Sequence, residues 1–98
     1  MTISTHVLDA GVGVPAAGMA VRLEHGGRTV AEGRTDDDGR ITGWPSATAG
    51  VYRLVFETGA VSSFFPEVVL SFLVTDPDEH HHVPLLLSPF AYSTYRGS

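Results

Sequence analysis

The sequence predicts an all-β fold, an antiparallel two-sheet sandwich of seven to eight short strands forming a single domain over residues 1–98. Three observations predict it. Apolar and polar residues alternate with a period of two along most of the chain. Clusters of Gly, Pro and Asp interrupt that alternation at short intervals. No stretch carries the 3.6-residue period of a long helix, and paired sheets are the architecture that buries many half-apolar strands.

Thr2–Leu8 opens the series: Ile3, Thr5 and Val7 alternate with Ser4, His6 and Leu8, so His6 lies opposite the most apolar side. Asp9–Pro15 is rich in glycine and ends that strand. In Met19–His25 the residues Met19, Val21 and Leu23 alternate with Ala20, Arg22 and Glu24, which reads as a half-buried strand. Gly26-Gly27 can both take positive φ, making a tight turn with Arg28–Arg34 as the returning partner. Asp37-Asp38-Gly39-Arg40 is a further turn, and Ile41–Trp44 is at most a short strand before Pro45.

Val51–Glu57 places Tyr52, Leu54 and Phe56 on one face and Val51, Arg53 and Val55 on the other, closing at Thr58-Gly59. Val68–Thr75 is apolar on both faces, as expected of a central strand or one buried at a subunit contact. After the Asp76-Pro77-Asp78 loop, His80–Leu87 is read as one strand. It carries His80, His82 and Leu86 on one face and His81, Val83, Leu85 and Leu87 on the other. Pro84 removes a ladder donor, which sets it at an edge or beside a bulge. Ser88-Pro89 turns the chain into a last strand, Ala91–Tyr95.

Composition narrows the function. Hydrophobic residues make up 43% and charged residues 17%, a globular balance that excludes a disordered chain. The absence of cysteine removes disulfides, thiolate zinc sites and a cysteine nucleophile together, and fits a reducing compartment. The net charge is −5 and every base is an arginine, none clustered with another. Nucleic acid and anionic membrane are therefore not expected as partners. No apolar run reaches the length of a membrane span, and Met1–His6 lacks a basic region followed by an apolar block. The expectation is a cytoplasmic protein.

Chemistry is left to histidine and arginine. A lone histidine in a strand is usually structural. His80 and His82, two residues apart, project to the same side and are spaced to share a metal, yet no third ligand stands at a diagnostic distance, so metal binding is the weaker reading. His81 faces the other way as a structural or surface residue, and His25, beside the Gly-Gly turn, is expected to be solvated. Arg40 follows the turn at Asp38-Gly39. Against the plain reading of a surface ion pair stands a fixed guanidinium able to hold a planar, electron-rich substrate through two parallel hydrogen bonds. The Asp36–Gly39 run lacks the alternating ligands and closing glutamate of a calcium loop. The aromatic-rich ending Tyr92–Ser98 suggests a docked terminus that brings Arg96 and Ser98 to a site.

Five segments together carry a resemblance. Ser4-Thr5-His6-Val7-Leu8-Asp9, Asp37-Asp38-Gly39-Arg40, Ser63-Phe64-Phe65-Pro66-Glu67, His82-Val83-Pro84-Leu85-Leu86-Leu87-Ser88-Pro89 and Tyr95-Arg96-Gly97-Ser98 resemble the transthyretin-like 5-hydroxyisourate hydrolases nearly end to end. The terminal tetrapeptide is the most specific element, since it separates the hydrolases from the hormone-carrying transthyretins of the same fold. The resemblance implies a prealbumin-type sandwich assembled as a homotetramer, a dimer of dimers with active sites in the channel between them. It implies hydrolysis of 5-hydroxyisourate to 2-oxo-4-hydroxy-4-carboxy-5-ureidoimidazoline in urate breakdown, with no cofactor and no metal. By motif match the catalytic residues fall on His6, Arg40, His82 and Ser98, and substrate binding on His6, Arg40, Tyr95 and Ser98. The alternative is a non-catalytic binding protein of the same fold holding a small aromatic ligand in the channel; a purely structural sandwich is a third reading. Two loops depart from the family pattern. Ala60-Val61-Ser62 leaves almost no room for the short helix usual before the Phe-Phe-Pro-Glu motif, and the hairpin at Gly26 is short. His81 also stands where an aromatic residue is more usual.

Overall fold

A computed structural model describes residues 2–97. Ten strands follow in chain order: β1 (Thr2–Asp9), β2 (Val14–Pro15), β3 (Ala20–His25), β4 (Arg28–Arg34), β5 (Arg40–Pro45), β6 (Gly50–Phe56), β7 (Val68–Val74), β8 (His81–His82), β9 (Leu85–Ser88) and β10 (Ala91–Thr94). They form two sheets. One runs β4-β3-β6-β7, and the other runs β10-β9-β1-β2 with β5 and β8 also paired to β1. Strand β1 is the hub of the second sheet, because it pairs antiparallel with β2 and β5 and parallel with β8 and β9.

The core lies between the sheets and follows from the alternation. Ile3 and Val7 of β1 meet Leu85 and Leu87 of β9 from one side; Val21, Leu23, Leu54, Phe56, Val68, Leu70 and Val74 close it from the other. Register across the four-stranded sheet keeps these residues on one face, with Leu23 opposite Leu54 and Leu54 opposite Leu70. Burial of this apolar surface is the main favourable contribution to the fold. Gly26 and Gly27 have φ of 61° and 76°, the two positive values that a primed two-residue hairpin turn needs between β3 and β4.

Several expectations require correction. The second sheet is mixed rather than antiparallel, because the chain crosses from β7 to run beside β1 in the same direction. The strand expected over His80–Leu87 is two strands, β8 and β9, parted at Val83-Pro84. Pro84 thus sits at a break inside the sheet, not at its edge. Arg40–Pro45 is a full six-residue strand. The segment Asp9–Pro15 does not simply end β1; it folds back as β2, pairing Pro15 with Leu8. Of the two settings expected for Val68–Thr75, the central one is excluded: β7 ends its sheet, and Leu73 is 61% exposed. Where the resemblance implies a short helix, this chain has one turn of 3-10 helix at Thr58–Ala60. Thr58 is buried and its hydroxyl donates to the Phe65 carbonyl, which ties this turn to the following Phe64-Phe65 segment.

Candidate active site

The outward face of β1 carries Thr2, Ser4 and His6, the residues that alternate with the core-facing Ile3, Thr5 and Val7. Pairing brings the other groups to that face. His6 stands directly opposite Arg40 of β5, and Ser4 directly opposite His82 of β8. Directly opposed residues in a sheet lie on the same side, about 5 Å apart at Cβ. One strand therefore gathers two imidazoles and a guanidinium from three distant parts of the chain. His6 and His82 are half-buried and Arg40 is exposed, so the cluster forms an open face rather than a closed pocket.

Arg40 is placed by the turn before it. One Asp36 carboxylate oxygen accepts from the Asp38 and Arg40 backbone N–H groups at 2.9 Å each. Gly39 has φ of +76°, and a Cβ there would lie 2.4 Å from the Val7 carbonyl oxygen, so the turn presses against β1 at the point where only glycine fits. The same turn fixes His6. His6 Nε2 donates to the Asp38 carbonyl at 2.8 Å. A carbonyl only accepts, so Nε2 carries the hydrogen and Nδ1 is the basic nitrogen of the neutral ring.

His82 is held differently. Its Nδ1 lies 2.7 Å from the Ser4 hydroxyl, which is itself 5% exposed. Gly97 packs against the ring: its N–H donates to the His82 carbonyl at 2.8 Å, and a Cβ at Gly97 would stand 2.5 Å from His82 Cδ2. Burial pushes the His82 imidazole below its ordinary value, and the charges of Arg40, His80 and His6 push the same way. Both effects favour the neutral imidazole, the form that accepts a proton.

The remaining expected residues divide. Ser98 lies outside the described residues. Tyr95 is 59% exposed and borders a cavity of about 330 Å³ on the β7 side, with Phe72, Leu73, His81 and Val83. Arg96, expected to bring a cation to the site, instead pairs with Glu79 at 2.9 Å on the surface. His80 and His82 do lie together, but both turn to the Ser4 hydroxyl. Among the described residues no three His, Asp or Glu side chains gather as metal ligands. His81 is buried on the core side, 4% exposed, with no hydrogen-bond partner at Nδ1 among the described residues. His25 is not simply solvated: it stacks on Tyr52 at 4.0 Å and bonds the Val51 carbonyl and the Thr48 hydroxyl. Sequence reasoning missed Ser4, the Asp38 carbonyl and Gly97 as parts of the site. Only Ser4 left a signal, being two residues from His6 and so on its face.

Comparison with known proteins bears on the family and the fold. The model of the HIUase/Transthyretin family matches residues 3–97. A 5-hydroxyisourate hydrolase of Caulobacter vibrioides is 45% identical, covering 98% of this chain and 97% of its own; their alignment runs over 112 positions, so that protein has residues this shorter chain lacks. The solved structure of Klebsiella pneumoniae 5-hydroxyisourate hydrolase superposes with a TM-score of 0.89 at 40% identity, covering 99% of this chain and 98% of the other. Transthyretin from Sparus aurata superposes with a TM-score of 0.84 at 31% identity, covering 97% and 95%.

Proposed function

This chain belongs to the HIUase/Transthyretin family, and we propose that it hydrolyses 5-hydroxyisourate by water activated between His6 and His82. The observation that carries the reading is the meeting of His6, Arg40 and His82 on one face of β1. A binding protein needs shape and a few polar contacts; two imidazoles beside a guanidinium supply a base, a proton donor and an anion stabiliser.

Water is a poor nucleophile at neutral pH. A histidine nitrogen takes one of its protons as the oxygen bonds to the ring carbonyl carbon, and the carbonyl oxygen becomes an oxyanion. Arg40 faces this charge with donors that match planar oxygens, and its guanidinium does not give up its proton. The tetrahedral centre then breaks its C–N bond, and the leaving nitrogen takes the proton that the imidazole holds. The product is a carboxylate, with the second water proton released to solvent. Tyr95 and the terminal Ser98 are assigned to the substrate wall on the motif match alone. No cofactor or metal enters these steps.

The active unit in this proposal is a homotetramer, a dimer of dimers. Its support is physical: β7 and β10 are both edge strands with unpaired backbone groups, and Leu73, Phe64 and Phe90 are 61%, 60% and 75% exposed. The open face of the site also needs a covering surface to exclude water. Light scattering of the purified protein tests the assembly; a monomer at micromolar concentration refutes it. Cytoplasmic location belongs to the same proposal and is tested by cell fractionation. The decisive assay follows the ultraviolet absorbance of freshly generated 5-hydroxyisourate. Decay faster than the spontaneous rate is expected, and an unchanged rate leaves the binding-protein reading in its place.

A further inference from the structure

Beside His82 lies a string of side chains that the hydrolytic steps do not use. Thr2 Oγ1 is 2.5 Å from His80 Nδ1, His80 Nε2 is 3.1 Å from Ser4 Oγ, and Ser4 Oγ is 2.7 Å from His82 Nδ1. All four belong to the outward face built by the pairing of Ser4 with His82. His80 is exposed, whereas Ser4 is buried, so the string runs from solvent to the site.

We propose that Ser4, supported by His80 and Thr2, is a positioning residue that accepts a hydrogen bond from the Nδ1–H of His82 and so stabilises its imidazolium as water is deprotonated. The argument rests on the hydrolase reading and on counting protons. A serine hydroxyl has one hydrogen, so Ser4 donates to one imidazole and accepts from the other. With a neutral His82 the string can run in either sense. In one sense His82 Nδ1–H donates to Ser4, Ser4 donates to His80 Nε2, and His80 Nδ1–H donates to Thr2. This leaves His82 Nε2 as the base. In the opposite sense Nε2 carries the hydrogen and accepts nothing.

Protonation removes that freedom. Once Nε2 has taken the water proton, both nitrogens of His82 are donors, and only the first sense pairs every group. The Ser4 bond then becomes charge-assisted, and the bond from Ser4 to His80 strengthens it by polarisation. The string therefore favours the charged form of His82 over the neutral one, and an interaction stronger in the transition state than in the ground state raises kcat. Burial, and after it the charge of Arg40, opposes that form. Ser4 is the neutral group placed to offset them, and a side chain of this size with no charge adds no repulsion of its own.

Ser4→Ala and Ser4→Thr in the full-length protein test the assignment, assayed by 5-hydroxyisourate absorbance across pH. Loss of a charge-assisted bond is expected to lower kcat about tenfold or more in Ser4→Ala, with KM little changed. The acid limb of its kcat/KM profile moves to lower pH, and Ser4→Thr restores both. A merely structural serine would not move the limb. Full kcat in a folded Ser4→Ala, or a loss with the limb unmoved, overturns the proposal. A second measurement needs no variant: nitrogen-15 NMR of the wild-type protein above the His82 titration is expected to find Nδ1 protonated, and Nε2–H there overturns it equally. Wild-type protein that fails to accelerate decay overturns the hydrolase reading and this proposal with it.

Discussion

Gly97 packs against the His82 ring with no room for a side chain, and this makes Gly97→Ala a sharp test of how the tail works. A Cβ at position 97 would lie 2.5 Å from His82 Cδ2, 3.2 Å from Cγ and 3.3 Å from Cβ. Carbon atoms settle at about 3.5–4.0 Å, so the ring or the tail must move by roughly 1 Å. A displacement of that size at a reacting group costs about 100-fold in rate. Backbone strain does not add to this, because Gly97 is not among the glycines with positive φ. Replacing glycine at an unstrained position even restricts the unfolded chain, worth about 0.4–1 kcal/mol in favour of folding. The clash offsets that gain, so the expected result is a folded protein with a Tm unchanged or somewhat lowered and kcat reduced about 100-fold. Absorbance assays and thermal melts measured side by side check both halves. A folded G97A protein with kcat within about threefold of wild type would show that the tail's seat against His82 has no part in catalysis.

Arg40→Gln keeps the side chain's length and some donor capacity but removes the charge; kcat is expected to fall by about 100- to 1000-fold, some 3 kcal/mol in the barrier, with the Tm nearly unchanged because Arg40 is exposed. Since burial lowers the His82 value, the neutral base persists as the solution is acidified, and the acid limb of kcat/KM lies below pH 6.5, the ordinary histidine value. The same shift bears on stability: below pH 6.5 the unfolded chain binds a proton at position 82 before the folded one does, so stability falls as pH drops through that window, readable as a falling Tm. Gly39→Ala forces a side chain into φ of +76° and against the Val7 carbonyl; it is expected to cost about 1–3 kcal/mol, seen in urea unfolding, and to lower activity by moving Arg40.

Faces were legible in the sequence and neighbours were not. Alternation in Thr2–Leu8 sets His6 opposite Ile3, Thr5 and Val7, and these three are buried as that pattern requires. The i, i+2 spacing of His80 and His82 likewise puts both beside Ser4. What a period of two cannot carry is which strand lies alongside. The parallel pairing of β1 with β8 and β9 joins residues almost eighty positions apart, and only packing of the whole core selects it. The packing of Gly97 on His82 is illegible for the same reason. His25 fails otherwise: a Gly-Gly turn reads as solvent, and the stack on Tyr52 depends on β3 lying beside β6 with His25 opposite Tyr52.

The catalytic register and the hydrophobic core are one constraint. Thr5 of β1 faces Ile41 of β5, both pointing inward at 1% and 8% exposure, while the adjacent pair His6 and Arg40 points outward. A slip of one residue between these strands would turn Ile41 to solvent and drive the Arg40 guanidinium toward the core. Burying an unpaired charge costs several kcal/mol, and losing a buried isoleucine adds about 2 more. On the other side, the Thr5 hydroxyl donates to the Val83 carbonyl at 2.6 Å and the Val83 N–H to the Ser4 carbonyl at 2.9 Å, locking β8 at the same level. The preference of Ile41 and Arg40 for opposite sides of one sheet therefore aligns His6, Arg40 and His82 without any attraction between the catalytic groups themselves. Since burial, and after it the charge of Arg40, pushes His82 toward its neutral form, a charged His82 is locally unfavourable in an arrangement that the core holds in place.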